Sequence, residues 1–208
     1  TDTNNLIQSP LLKLNKIENN QINKPEDIFL DRKNSAGVDL TEENNIILFT
    51  NLQNIHNVQA CSIVNGKNYF TKIEKNIISP YSNSNIIGKV YYANENIVTL
   101  AIENLSSYCN EWKNSNIDKR VGIVNAFADL LENNYHMLVS CCVKEAGKTI
   151  QDSIDDIREA IDFCRYYAEE SKKIFKDKNL PGPTGEKNIY KLKARGLTCV
   201  ISPWNFPI

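Results

Sequence analysis

The chain has 208 residues, with 24 Lys+Arg against 25 Asp+Glu, a formal net charge of -1, 41% hydrophobic and 24% charged residues, the composition of one large or two small globular domains. Balanced charge with no basic block argues against a nucleic-acid protein, which needs many phosphate-neutralising side chains, and against a polybasic membrane anchor. No run reaches the roughly 18 apolar residues of an integral membrane segment, and the opening TDTNNLIQSP lacks the basic start and apolar stretch of a signal peptide, so a cytoplasmic protein is expected.

Residues 1–60 are Asn-rich and weakly patterned, which suggests a segment that wraps over another surface more than it forms a core. Within it, Ile46, Ile47, Phe49, Leu52, Ile55 and Val58 recur at three- and four-residue steps, predicting an amphipathic helix over Ile46 to Gln59. Residues 60–93 alternate apolar and polar and are punctuated by Gly66, the Ser79-Pro80 step and Gly88, the mark of short strands joined by turns. Three helices follow. Glu95 to Trp112 places Val98, Ala101, Ile102, Leu105, Tyr108, Cys109 and Trp112 on one stripe. Asp118 is the expected N-cap of the second, with Val121, Val124, Phe127, Ala128, Leu131, Tyr135, Leu138 and Val139 facing inward, and Gly147 stops it because glycine tolerates the left-handed terminal conformation. Thr149 or Asp152 starts the third, with Ile154, Ile157, Ala160, Ile161, Cys164 and Tyr167 buried, and Lys172, Lys173 and Lys176 suit the negative pole at its end.

Pro181-Gly182-Pro183-Thr184-Gly185 breaks the helical run. Ile189 to Lys193 alternates as a partly exposed strand would. Leu197 to Ser202 is a near-continuous apolar run, the signature of a strand covered on both faces in an α/β sheet. Cys61, Cys109, Cys141, Cys142, Cys164 and Cys199 show no CxxC spacing and are read as reduced thiols packing as small hydrophobes, and no metal site is expected. His56 and His136 stand far apart, outside any HExxH pattern, and are read as non-catalytic.

The chemistry is expected where the last strand breaks, since ligand sites in α/β sheets lie beyond the carboxyl ends of strands. Asn205 offers an uncharged N–H donor able to hold a developing oxyanion, and Trp204 a rigid apolar wall for a flat ligand. The residues alone leave open a structural turn capped by the asparagine.

Cys199-Val200-Ile201-Ser202-Pro203-Trp204-Asn205-Phe206-Pro207 resembles the strand-and-turn motif of the aldehyde dehydrogenase superfamily, and Lys144-Glu145-Ala146-Gly147-Lys148-Thr149 resembles its EAGKT element. The stretch from Asp156 to Ala168, DIREAIDFCRYYA, is similar to the L-glutamate γ-semialdehyde (1-pyrroline-5-carboxylate) dehydrogenase half of the bifunctional proline-utilisation A enzymes. Arg32 to Leu40, RKNSAGVDL, resembles the stretch leading into that domain. The resemblance implies an α/β fold: the N-terminal, incomplete portion of an aldehyde dehydrogenase, with helices and short strands leading into a Rossmann-like NAD-binding sheet. Residues 1–45 would be a connecting segment and 46–208 the first part of the domain, cut at the active-site turn.

By the same resemblance, Asn205 is the catalytic oxyanion donor, and Ile201, Ser202, Pro203 and Trp204 line the NAD site. Phe206 packs on the aliphatic part of the aldehyde. Glu159, on the inward face of the third helix, meets the substrate's amino group; the alternative is a surface carboxylate paired one turn away. Lys148 reads as a surface charge at a helix start. NAD is the implied cofactor, with FAD confined to the proline dehydrogenase domain that bifunctional relatives carry. The implied partners are the small aldehyde, the rest of the dehydrogenase and, in the full enzyme, a second copy in a homodimer.

The superfamily's nucleophilic cysteine lies in a Gly-rich motif after the PWNFP turn, and no cysteine in this sequence has that context. The chain is therefore expected to be inactive alone, and marginal or sticky because the last strand would lack neighbours. Two other readings stand beside this one: a non-catalytic remnant or docking module, and part of another aldehyde dehydrogenase such as a succinate-semialdehyde enzyme.

Overall fold

The computed structural model of the chain describes residues 22–50 and 57–208. From Ile22 to Glu42 the backbone makes one 3-10 turn, Pro25–Asp27, and is otherwise a strap laid against the helices that follow. It is tied down by backbone donors on distant carboxylates: Ser35 N–H donates to Asp162 Oδ1 at 2.6 Å and Ala36 N–H to Glu132 Oε1 at 3.1 Å. Helix α1 (Glu43–Thr50) then carries Phe49 into the interior, where it is 1% exposed, so this region contributes to the core as well as wrapping it. The expected helix from Ile46 to Gln59 is corrected. Helix α1 is described as far as Thr50; residues 51–56, with Leu52, Ile55 and His56, lie outside the described residues, and the expected helix fails at its far end, where Asn57 takes a left-handed φ of 57° and Val58–Ala60 is a strand.

The alternating stretch folds as expected into short strands: β1 (Val58–Ala60), β2 (Ser62–Val64), β3 (Lys67–Tyr69), β4 (Glu74–Ser79) and β5 (Ser82–Tyr91). Strand β5 is central, parallel to β1 and antiparallel to β4. Val58 lies opposite Gly88, and any Cβ at Gly88 would meet the Val58 carbonyl, so glycine is what lets β1 approach. Strands β2 and β3 form a hairpin over Asn65-Gly66, whose φ values of 49° and 72° suit the two-residue turn that matches strand twist.

Helices α2 (Glu95–Asn114), α3 (Ile117–Asn133), α4 (Tyr135–Cys141) and α5 (Ile150–Ile174) follow, with a π turn at Cys142–Ala146. Asn94 caps α2 by accepting from Ile97 N–H, and Thr149 caps α5 by accepting from Asp152 N–H at 3.0 Å. The N-cap of α3 is Asn116, which accepts from Asp118 N–H, so Asp118 is the capped residue and not the cap. The single helix expected up to Gly147 is broken at Asn134, whose φ of -103° and ψ of 17° leave the helical range, and it finishes in the π turn. Gly147 does terminate it, at φ 68°.

The core gathers Phe49, Ala128, Val139, Ile154, Ile157 and Ile161 between α1, α3, α4 and α5. Three burial expectations are overturned. The α2 stripe is exposed at Val98, Ile102, Leu105, Tyr108 and Trp112 and half-buried at Ala101 and Cys109, the buried residue of α2 being Ile97, because among the described elements strand β2 lies against this face and covers it only in part. Tyr167 and Phe127 are also exposed. Of the six free cysteines only Cys142 is buried, and Cys199 is exposed.

After α5 a small hairpin pairs β6 (Lys178–Leu180) with β7 (Asn188–Tyr190), one residue earlier and shorter than the strand expected at Ile189 to Lys193. Leu197 to Ser202 pairs with no described strand; Leu197, Val200 and Ile201 face solvent instead of being covered on both sides. Among the described residues no helix is long and apolar enough to cross a membrane, and no three potential metal ligands gather.

Candidate functional site

Gly147 ends one helix in the left-handed conformation and Thr149 caps the next, so Lys148 is pinned between two helix ends. The π turn before it leaves carbonyls that an α-helix would satisfy, and Ser79 Oγ, at the end of β4, donates to Lys144 O at 2.9 Å. This fastens the β4–β5 turn to the π turn and brings Pro80 alongside. The Trp204-Asn205 turn closes the third side. Between them lies a cavity of about 500 Å³, lined by Pro80, Cys142, Glu145, Lys148, Asn205 and Ile208 among others.

Lys148 is the electrostatic centre of this cavity. Its Nζ is 3.0 Å from Asp156 Oδ2, donates to the Asn205 carbonyl oxygen at 3.3 Å, and stands 5.6 Å from the Phe206 ring centroid. Asp156 is 5% exposed and its Oδ2 accepts no aligned hydrogen bond, so the lysine charge is what compensates it.

Two thiols line the cavity, and neither is a ready nucleophile. Burial pushes Cys142 up to about 11, with the nearby Asp156 charge acting the same way against Lys148, and burial also raises Cys141. Both are neutral thiols at pH 7, and the thiolate is the reactive form.

The residues expected from the sequence are partly brought together. Asn205 lies at the cavity lip, exposed, beside Trp204, which is 90% exposed. Ile201, Ser202 and Pro203 precede it as an exposed extended stretch, and Phe206 faces the Lys148 ammonium. Glu159 is corrected: it is exposed and not on the inward face. The buried stripe of α5 runs through Ile154, Ile157 and Ile161, and two residues beyond Ile157 is a rotation of about 200°, which points outward. Asp156 was missed, and Lys148, expected as a surface charge at a helix start, is corrected to a mostly covered ammonium paired with it. Asp156 carried a readable signal, a carboxylate between Ile154 and Ile157 on a buried stripe, which demands a partner. Lys148 lies in the EAGKT element, but periodicity could not place its side chain, because Gly147 and Thr149 interrupt the helical run on either side.

The aldehyde dehydrogenase family model matches residues 70–208. The chain is 30% identical over 174 residues to 1-pyrroline-5-carboxylate dehydrogenase 2 of Bacillus subtilis, covering 76% of this chain and 34% of that protein. It is 31% identical over 146 residues to 1-pyrroline-5-carboxylate dehydrogenase 1 of Halalkalibacterium halodurans, covering 70% and 28%. The chain thus spans about a third of the length of the curated relatives it matches. Among solved structures it resembles proline utilization A from Bdellovibrio bacteriovorus, with TM-score 0.79 and 28% identity over 89% of this chain and 20% of that one. A 1-pyrroline-5-carboxylate dehydrogenase from Thermus with bound NAD shares the fold, with TM-score 0.78 and 23% identity over 86% of this chain and 36% of that one. With the family match covering most of its length, strands β4 and β5 through the Trp204-Asn205 turn, the chain belongs to the aldehyde dehydrogenase family.

Proposed function

We propose that this chain supplies the oxyanion side of an NAD-dependent dehydrogenase that oxidises L-glutamate γ-semialdehyde, the open form of 1-pyrroline-5-carboxylate, to glutamate. The observation that carries the reading is the place of Asn205, at the lip of a cavity and backed by a buried charge pair. The names of the curated relatives support the substrate.

The Asn205 amide donates to the aldehyde oxygen as negative charge develops there. It is neutral, so it neither titrates nor is quenched by a counter-ion. Removing one such donor costs about 100- to 1000-fold in rate. Ile201, Ser202, Pro203 and Trp204 fit one wall of a nicotinamide pocket, since the indole is exposed beside the lip and the preceding backbone is unpaired. When bound there, NAD supplies a hydride acceptor, and the NAD-bound Thermus neighbour supports this choice of cofactor. Phe206 packs on the aliphatic part of the substrate, and Glu159 meets its ammonium once other parts of the enzyme close over α5. The nucleophilic thiol is neither Cys141 nor Cys142. In the same reading residues 1–45 connect, 46–208 belong to the dehydrogenase domain, the enzyme works as a homodimer, and it is cytoplasmic.

The test is NADH formation from glutamate semialdehyde. The 208-residue chain alone is expected to give none. Mixed with the complementary two thirds of the Bacillus subtilis relative it is expected to give NADH, and to lose it with Asn205→Ala. No NADH with both pieces folded would favour a docking module, and a better rate with succinate semialdehyde would change the substrate.

A further inference from the structure

Residues 191–203, which lead into the Trp204-Asn205 turn, belong to no helix or strand, and Trp204 is almost wholly exposed. The Lys148 ammonium nevertheless reaches that turn, donating to the Asn205 carbonyl oxygen at 3.3 Å. Its other side is fixed, 3.0 Å from a carboxylate of α5 that is almost fully buried. A lysine suits this place because its three N–H donors can serve a carboxylate and a carbonyl together. Its own backbone is immobilised by Gly147 and Thr149, so the link runs from the helical core to the turn.

We propose that Lys148 is a positioning residue: held by Asp156, it clasps the carbonyl of Asn205 and thereby fixes the peptide from which the Asn205 amide is presented at the cavity lip. Preorganisation of this kind is what gives an oxyanion donor its effect, since a donor free to turn away must be reordered in each cycle. The clasp takes its catalytic meaning from the oxyanion role proposed above. Its existence is independent of NAD and aldehyde and is tested without either.

The full 208-residue chain holds two tryptophans, Trp112 on α2 and Trp204 on the turn. Their indole N–H resonances in a 15N-labelled chain are assigned with Trp112→Phe. Lys148→Met is expected to sharpen the Trp204 resonance and lower its heteronuclear NOE, because the turn is released while the indole stays exposed, with Trp112 unchanged. Asp156→Asn should do the same although Asp156 does not touch the turn, an effect a simple surface charge would not have. A Trp204 resonance unchanged in a folded Lys148→Met chain overturns the proposal. If stranding the Asp156 charge unfolds that variant, Lys148→Met/Asp156→Asn leaves no lone charge inside, and the same two readings decide. Failure to form NADH in the mixing assay, with the Trp204 mobility change present, would sink the enzymatic reading and leave the clasp standing.

Discussion

Helix α5 carries an apolar stripe and the run from Leu197 to Ser202 is apolar almost throughout, and they end in opposite environments: Ile157 is 0% exposed and Ile201 is 89% exposed. The helix satisfies its backbone hydrogen bonds internally and needs cover on one stripe only, which α1, α3 and α4 provide. The strand-like run needs neighbours for its backbone as well as for two faces, and no described element offers either. Local pattern therefore fixes what kind of element a segment can become, while burial depends on a complementary surface. Two substitutions break this contrast or sharpen it. Ile157→Ala is expected to cost about 2–5 kcal/mol in urea unfolding, and Ile201→Ala less than about 0.5 kcal/mol. Equal costs would mean that the Leu197 run is packed in solution.

A second test addresses the exposed run directly. Unpaired backbone beside Val200 and Ile201 is a template for pairing with another chain. Sedimentation velocity is expected to show reversible association of the 208-residue chain at micromolar concentration. Val200→Lys together with Ile201→Lys should shift the distribution to monomer, because edge lysines oppose such pairing. A monodisperse parent chain would remove the basis of the contrast.

What the sequence made legible follows the same division. Most starts and stops set by local chemistry were readable: Gly147 with its left-handed φ, Thr149 as one of the two starts offered for α5, and the strands and turns between residues 60 and 93, although the cap of α3 is Asn116 and not the expected Asp118. Features that need a second segment were not. Asn134 breaks the α3–α4 run without a glycine or proline to announce it. The stripe of α2 reads as buried because periodicity says which residues share a face and not what lies against it. At the site, Asn205 was legible through the motif around it, whereas the Lys148–Asp156 pair joins residues across a helix start. Glu159 shows the opposite error, a motif residue assumed to face inward although the apolar period of α5 places it outside.

An effect smaller than the loss of Ile157 is expected at Cys142, where the helical core meets the cavity. Burial raises this thiol from an ordinary value of 9.0 to about 11, so the folded state holds the proton while the unfolded chain gives it up. Between those two values the unfolded state binds fewer protons, and stability must fall as pH rises. Below pH 9 the thiol is neutral in both states and contributes no slope. Cys142→Ala is expected to make the decline in unfolding free energy between about pH 9 and 11 shallower, by on the order of 1–2 kcal/mol across the window. Part of the slope should survive, because burial raises Cys141, Cys164 and Tyr135 in the same direction. Urea unfolding at several alkaline pH values reads this out, and the slope is informative even if alanine lowers stability uniformly by leaving a void. An unchanged slope would mean that water already reaches the Cys142 thiol, and that the cavity under Asn205 opens into the core it is supposed to border.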